Sequence, residues 1–118
     1  MNDLKHIAYK WMEAFNNHDL ASLLALYDEE AMHYSPKLKI HQPASDGWIK
    51  GKAALRIWWA GAFQRLPFLQ YNLVKLIADG DHVFMEYTRH TPGEDDLTVG
   101  EVLVFKEGKI IASRVYHS

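Results

Sequence analysis

The hydrophobic period changes once along this chain, and that change decides what it can fold into. Up to Pro67 the apolar residues recur at helical spacing, and beyond it they alternate. Leu4, Ile7, Ala8, Trp11, Met12 and Phe15 fall at i, i+3, i+4, i+7, i+8 and i+11, which predicts a helix resting on a core over about residues 3 to 16. Asn16-Asn17-His18 suits a helix end, and Asp19 is a good N-cap for a second helix carrying Leu20, Leu23, Leu24, Leu26 and Tyr27. Ala31 to Ser35 reads as a short strand ended by Pro36, which cannot donate to a ladder. Residues 36 to 50 hold Pro36, Pro43, Ser45, Asp46 and Gly47 without periodicity and are expected to form a long irregular loop. After Gly51, the positions Leu55, Trp58, Trp59, Ala62, Phe63 and Leu66 predict a third helix, stopped by Pro67. Residues 70 to 78, 82 to 91, 97 to 106 and 109 to 117 then read as strands joined by turns at Asp79-Gly80-Asp81, Pro92 to Asp96 and Glu107-Gly108. No linker or internal repeat divides the sequence, so residues 1 to 118 are expected to be one α+β domain ending in an antiparallel meander.

Composition excludes several classes. With 118 residues, 48% of them hydrophobic, a domain can bury roughly two-thirds of its unfolded surface without staples. Disorder and, with no cysteine, a disulfide scaffold are excluded. Lys and Arg number 13 against 15 Asp and Glu, so no basic excess supports nucleic-acid binding. No apolar run reaches membrane-spanning length, and Met1-Asn2-Asp3 leads into the first helix with no basic signal region, which predicts a cytoplasmic protein without a membrane partner.

Both faces of the meander are apolar. Strict alternation places Leu73, Ile77, Val83, Met85, Tyr87, Val99, Leu103, Phe105, Ile111 and Val115 on one face. Val74, Leu76, Phe84, Val102, Val104, Ile110 and Tyr116 fall on the other. Three helices cover one face of a four- or five-stranded sheet, so the second is expected to meet another copy in a homodimer.

Several strings point to a known family. Ala14-Phe15-Asn16-Asn17-His18-Asp19-Leu20, then Leu24 to Ala31, a strand ending Ser35-Pro36, a loop to Gly51, a helix, and a meander containing Phe105 to Ile110 and Arg114-Val115-Tyr116 resemble the NTF2-like superfamily and its SnoaL-like branch. The resemblance covers essentially the whole chain. It implies a curved sheet wrapped around a long helix to make a cone whose open end is a pocket. It does not imply one function, since the superfamily holds isomerases, cyclases, hydrolases and noncatalytic binding proteins. The ketosteroid isomerase pattern carries over poorly: its first-helix Tyr falls on Trp11, its general-base Asp on Ser35, and its protonated Asp on Glu101. Only a carboxyl at Glu101 survives, and a hydroxyl of ordinary pKa cannot replace a carboxylate base. The acid common near the end of SnoaL-like cyclases falls on Ser118.

Glu101 is the sharpest position in the sequence. Alternation turns it inward among apolar neighbours, where desolvation raises a carboxyl pKa toward neutrality. A structural ion pair is the competing reading, and a hairpin about Pro92 to Asp96 would set Tyr87 opposite Glu101 with Arg89 as diagonal partner. The family comparison puts Ser35, and so His33, toward the cavity. His33 is then the candidate base, its ring oriented by a carboxylate such as Glu101, or else a histidine merely lining a pocket. His117 is a second candidate at the rim. Trp11, Phe15, Trp58, Trp59, Phe63, Met85 and Tyr87 suffice to wall an apolar ligand or simply to fill a core, with the Trp11 N–H facing Glu101 or His33. Trp48, with His41 and Gln42, is expected to cap the mouth.

Other motifs fail. Gly47 to Ala53 has three residues between its glycines and no Ser or Thr for magnesium. Seven histidines without HExxH give no zinc signature, the acidic turns lack a calcium loop's Glu, and no Gly-x-Ser-x-Gly elbow is present. Together with the resemblance, the expectation is a protein without cofactor or metal that acts by acid-base chemistry, of isomerase, cyclase or dehydratase type, on a small apolar carbonyl-bearing, polyketide-, terpenoid- or steroid-like molecule, or else a noncatalytic ligand-binding or dimerisation module. His33 and Glu101 would be catalytic, and Trp11, Phe15, Ser35, Trp58, Met85, Tyr87, Arg89 and His117 would bind the ligand.

Overall fold

The structure, a computed structural model, describes residues 4–117. Asp3 and Ser118, which figure in the sequence expectations, lie outside the described residues. Helices α1 (Leu4–Asn16) and α2 (Leu20–Ala25) are followed by β1 (Tyr27–Tyr34), α3 (Pro36–His41), a 3-10 turn (Pro43–Ser45), β2 (Trp48–Lys50), α4 (Lys52–Arg65), β3 (Gln70–Asp79), β4 (His82–His90), β5 (Leu97–Lys106) and β6 (Lys109–His117). The α+β class follows the change of period in the sequence. At the first corner His18 takes a positive φ of 53°, and Asp19 caps α2 by accepting from the Ser22 amide and hydroxyl. Asn16 then reaches across to β3, donating to the Tyr71 carbonyl at 2.8 Å and accepting from its amide at 2.7 Å. Its amide side chain thus takes the place of a neighbouring strand and fixes the start of β3.

Three expectations need correction. The segment 36 to 50 is no irregular loop. Pro36 suits the first turn of a helix, Ser35 caps that helix by accepting from the Lys37 amide at 3.3 Å, and Trp48 to Lys50 pair with β1. The sheet is mixed rather than wholly antiparallel: its order is β2-β1-β6-β5-β4-β3, six strands, and β1 runs parallel to β6. Strict alternation also fails at two bulges. One between Leu73 and Lys75 turns Leu76 toward the core and leaves Ile77 51% exposed. The other, at Ile111, lets Ile110 pair with Phe105 and bury completely while Ser113 still faces inward.

The helices pack on the concave face. Ala8, Trp11, Met12 and Phe15 of α1 meet Val83, Met85, Val99, Leu103 and Phe105 in one core. On the convex face Phe84 covers Gly100, where a Cβ would come 3.1 Å from its ring, and Ile77 and Tyr116 are exposed. No helix among the described residues is long and apolar enough to cross a membrane.

Candidate functional site

The concave side is built in two layers. Toward one end, Val83, Met85, Leu103, Ser113 and Tyr27 are sealed, none more than 1% exposed. Toward the other, Tyr71, Tyr87, Arg89, Val99, Glu101, Val115, His117, His33 and Ser35 open into a cavity of about 80 Å³. These residues lie where β1, β4 and β6 end and where β3 and β5 begin, so one rim of the sheet supplies the whole set. Trp11 and Phe15 of α1 and Trp58 and Trp59 of α4 form the facing wall. Tyr71 stacks between Phe15 at 4.0 Å and Tyr87 at 4.1 Å, and Trp11 extends the slab at 5.3 Å from Phe15. Such ring pairs stabilise by about 0.5–1.5 kcal/mol each beyond their buried area and hold the wall rigid.

Glu101 is buried on the cavity side, as alternation requires, but the strand register differs by two residues from that expected. Met85 stands opposite Glu101, and Tyr87 opposite Val99. Tyr87 therefore approaches on the diagonal, its hydroxyl donating to Glu101 Oε1 at 2.7 Å. Glu101 Oε2 has no hydrogen-bond partner among the described residues. Burial pushes the Glu101 carboxyl up to about 8, against which the Tyr87 hydrogen bond works only in part. Tyr27, Tyr71 and Tyr87 are raised above the ordinary phenol range, first by burial and then by the Glu101 charge. Arg89 is not the diagonal partner. It stands opposite Leu97 and pairs with Glu94 at 3.0 Å instead.

His33 is 3% exposed, and burial pushes its ring down to about 4. Its Nδ1 meets Ser113 Oγ at 2.6 Å, so a hydroxyl of β6, rather than Glu101, orients it. The Trp11 N–H faces neither Glu101 nor His33: it donates to the Tyr27 hydroxyl at 2.9 Å, which donates to Ser113 Oγ at 3.2 Å.

The structure thus brings His33, Glu101, Trp11, Phe15, Ser35, Trp58, Tyr87, Arg89 and His117 to one cavity. Met85 does not line the cavity, because it lies two residues before Tyr87 on β4, in the sealed layer. Trp48 does not cap the mouth either. Paired with Tyr34, it shares the convex face, 5.3 Å from that ring and with Arg114 over it at 4.8 Å. Gln42 is not among the lining residues, whereas His41 is, 6.3 Å from Trp58. Sequence reading missed Tyr71, Tyr27 and Ser113. Tyr71 carried a signal as an inward residue at a strand start, but the partnership of Tyr27 and Ser113 depends on a pairing 86 residues apart. Among the described residues no three His, Asp or Glu side chains converge as metal ligands.

Comparison with known proteins agrees with this fold. The family described as the SnoaL-like domain matches residues 8–113. A SnoaL-like protein of unknown function from Burkholderia thailandensis superposes with a TM-score of 0.85 at 22% identity, covering 100% of this chain and 98% of that one. An NTF2-like protein of unknown function from Cytophaga hutchinsonii gives 0.79 at 14% identity, over 100% and 92%. A protein with a ketosteroid isomerase-like fold from Catenulispora acidiphila gives 0.75 at 19% identity, over 95% and 85%. A comparison with curated proteins finds no match.

Proposed function

The chain belongs to the SnoaL-like domain family, and from that premise we propose that its cavity binds a compact, largely apolar carbonyl compound and moves a proton on it without a cofactor. The observation that carries this reading is the state of Glu101. One carboxyl oxygen is held by Tyr87, the other has no partner among the described residues, and burial keeps the group neutral until about pH 8. A neutral carboxyl of this kind delivers its proton to a carbonyl oxygen. Once ionised, it takes one from the adjacent carbon, so enolisation is balanced at a single group titrating near working pH. Isomerisation, cyclisation and loss of water all begin from that step. His33 meets the same substrate from β1, with β6 between the two strands and a backbone spacing of roughly 10 Å.

Size narrows the substrate. The cavity, about 80 Å³, opens at one rim of the sheet, so a short-chain or monocyclic carbonyl compound whose far end extends into the mouth suits it better than a polycyclic one. The same reading includes a homodimer through the convex face and a cytoplasmic location. Glu86 and Arg114 both stand on that face, so a two-fold arrangement can set each against the other in the partner copy.

The test uses cyclohexanone and its shape-matched alkene methylenecyclohexane, titrated into the protein by NMR and recovered for mass and proton analysis in deuterated water. The ketone should bind at least tenfold more tightly and return with deuterium beside its carbonyl, and Glu101→Gln should abolish that exchange. Binding without exchange would favour a noncatalytic pocket, a reading supported by how far burial depresses His33 as a base. Equal affinity for the two probes would overturn the carbonyl assignment.

A further inference from the structure

The four groups Trp11, Tyr27, Ser113 and His33 form one buried chain, and counting its hydrogens settles which way it runs. The Trp11 indole N–H only donates, and its 2.9 Å partner is the Tyr27 oxygen. Tyr27 has one hydrogen, and the acceptor it reaches is Ser113 Oγ at 3.2 Å. Ser113 also has one hydrogen, and the remaining neighbour of its oxygen is His33 Nδ1 at 2.6 Å. Run in this direction, from indole to phenol to hydroxyl to imidazole, every hydrogen has an acceptor. If Nδ1 carried the ring proton and donated to Ser113, either the Ser113 or the Tyr27 hydrogen would be stranded. Tyr27 and Ser113 are 1% and 0% exposed, so water does not rescue it. A stranded buried donor costs about 1–3 kcal/mol, which corresponds to about fivefold or more in the ratio of the two ring forms.

We infer that this chain locks neutral His33 with its proton on Nε2, so that the ring faces the cavity as a hydrogen-bond donor and Ser113, Tyr27 and Trp11 are its positioning residues. The inference rests on the carbonyl reading of the cavity and deepens it. With Nδ1 occupied as an acceptor, the free edge of the ring presents N–H rather than a lone pair. His33 is then not the proton acceptor expected from the sequence. It holds and polarises the substrate oxygen, while Glu101 carries the proton. The same chain gives a second reason, besides desolvation, for His33 to resist protonation: an imidazolium needs N–H on both nitrogens, and Nδ1–H would force the Ser113 hydroxyl to turn away and lose its acceptor. A cavity that offers donors from His33 and from neutral Glu101 takes a group that only accepts, such as a ketone, aldehyde, ester or lactone oxygen. An alkene of the same shape, with no oxygen lone pair, leaves both donors without a partner.

The decisive measurement is the two-bond proton–nitrogen spectrum of the histidine rings in the intact, ligand-free protein, recorded between pH 5 and 8. His33 should show a protonated Nε2 and an unprotonated Nδ1 throughout, with the Nε2–H form in at least fivefold excess. Ser113→Ala should raise the Nδ1–H share and reduce the preference for cyclohexanone over methylenecyclohexane. A simply destabilised variant would lose binding of both probes without changing the tautomer. If Ser113→Ala does not fold, the wild-type spectrum still decides. An Nδ1–H ring there overturns the inference. Because the tautomer is read without ligand, failure of the carbonyl reading would show separately, as equal binding of the two probes.

Discussion

Glu101 links chemistry to stability at the scale of a single residue. Its carboxyl is raised from an unfolded value near 4.5 to about 8, so between those pH values the folded protein holds a proton that the unfolded chain has lost. Stability therefore falls with rising pH across that window, at about 1.4 kcal/mol per unit for one group. His33 works oppositely. Lowered from 6.5 to about 4, it makes the unfolded chain the better proton binder between those values, so stability rises there. The two slopes offset one another between pH 4.5 and 6.5, and from pH 6.5 to 8 the Glu101 slope stands alone. Urea melts in that upper range should show the decline in the wild type and a flat profile in Glu101→Gln. Exchange of ketone protons should also fall as pH passes about 8, because the neutral carboxyl is the active form. A rate that climbs through pH 8 would instead make the carboxylate the resting base. Alternation, together with the family alignment, made Glu101 legible in the sequence. The orientation of His33 was not legible, because it depends on Ser113, which enters from a strand 80 residues away.

Among the elements, α3 shows how a turn of helix can be hidden by its own prolines. Pro36 and Pro43 look like loop residues, yet Pro36 sits in the first turn of α3, where its missing N–H costs nothing, and Ser35 supplies the cap. The result brings Ser35, Lys37 and His41 to the cavity. Ser35→Ala should cost about 1 kcal/mol in a denaturant titration and speed amide exchange at Leu38, whose N–H bonds to the Ser35 carbonyl at 3.0 Å. An unchanged midpoint would mean that packing of the fully buried Leu38, not the cap, holds α3 in place. The four meander strands were readable nearly to the residue because their turns carry Gly and Asp, whereas the two bulges were not. A bulge inserts one residue without a compositional mark, and the alternation on one side of it reverses, as at Leu76 and Ile77 in β3 and at Ile110 in β6.

For the whole molecule, the sheet separates two surfaces with different tasks, the concave face holding the cavity and the convex face presenting Phe84, Ile77 and Tyr116. Sedimentation of the wild type should give a dimer, and Phe84→Glu should give a monomer with an unchanged far-ultraviolet spectrum; a wild-type monomer would remove the proposed interface. The overall architecture was legible because the change of period and the family strings agree on it. The strand order was less so, since nothing local announces that β1 will lie parallel to β6. That parallel pairing has a consequence in time. Ser113, Val115 and His117 belong to β6, made after every other strand of this sheet, and until it docks beside β1 the His33 ring has no fixed partner and the cavity lacks a side. A nascent chain can form its helices and its first hairpin, which rest on nearby contacts, but the site itself arises only from the strand pairing most distant in sequence. Assembly of the pocket is thereby a late event: a chain cut short before Lys109 would lack the strand that joins β1 to β5, and with it one side of the cavity.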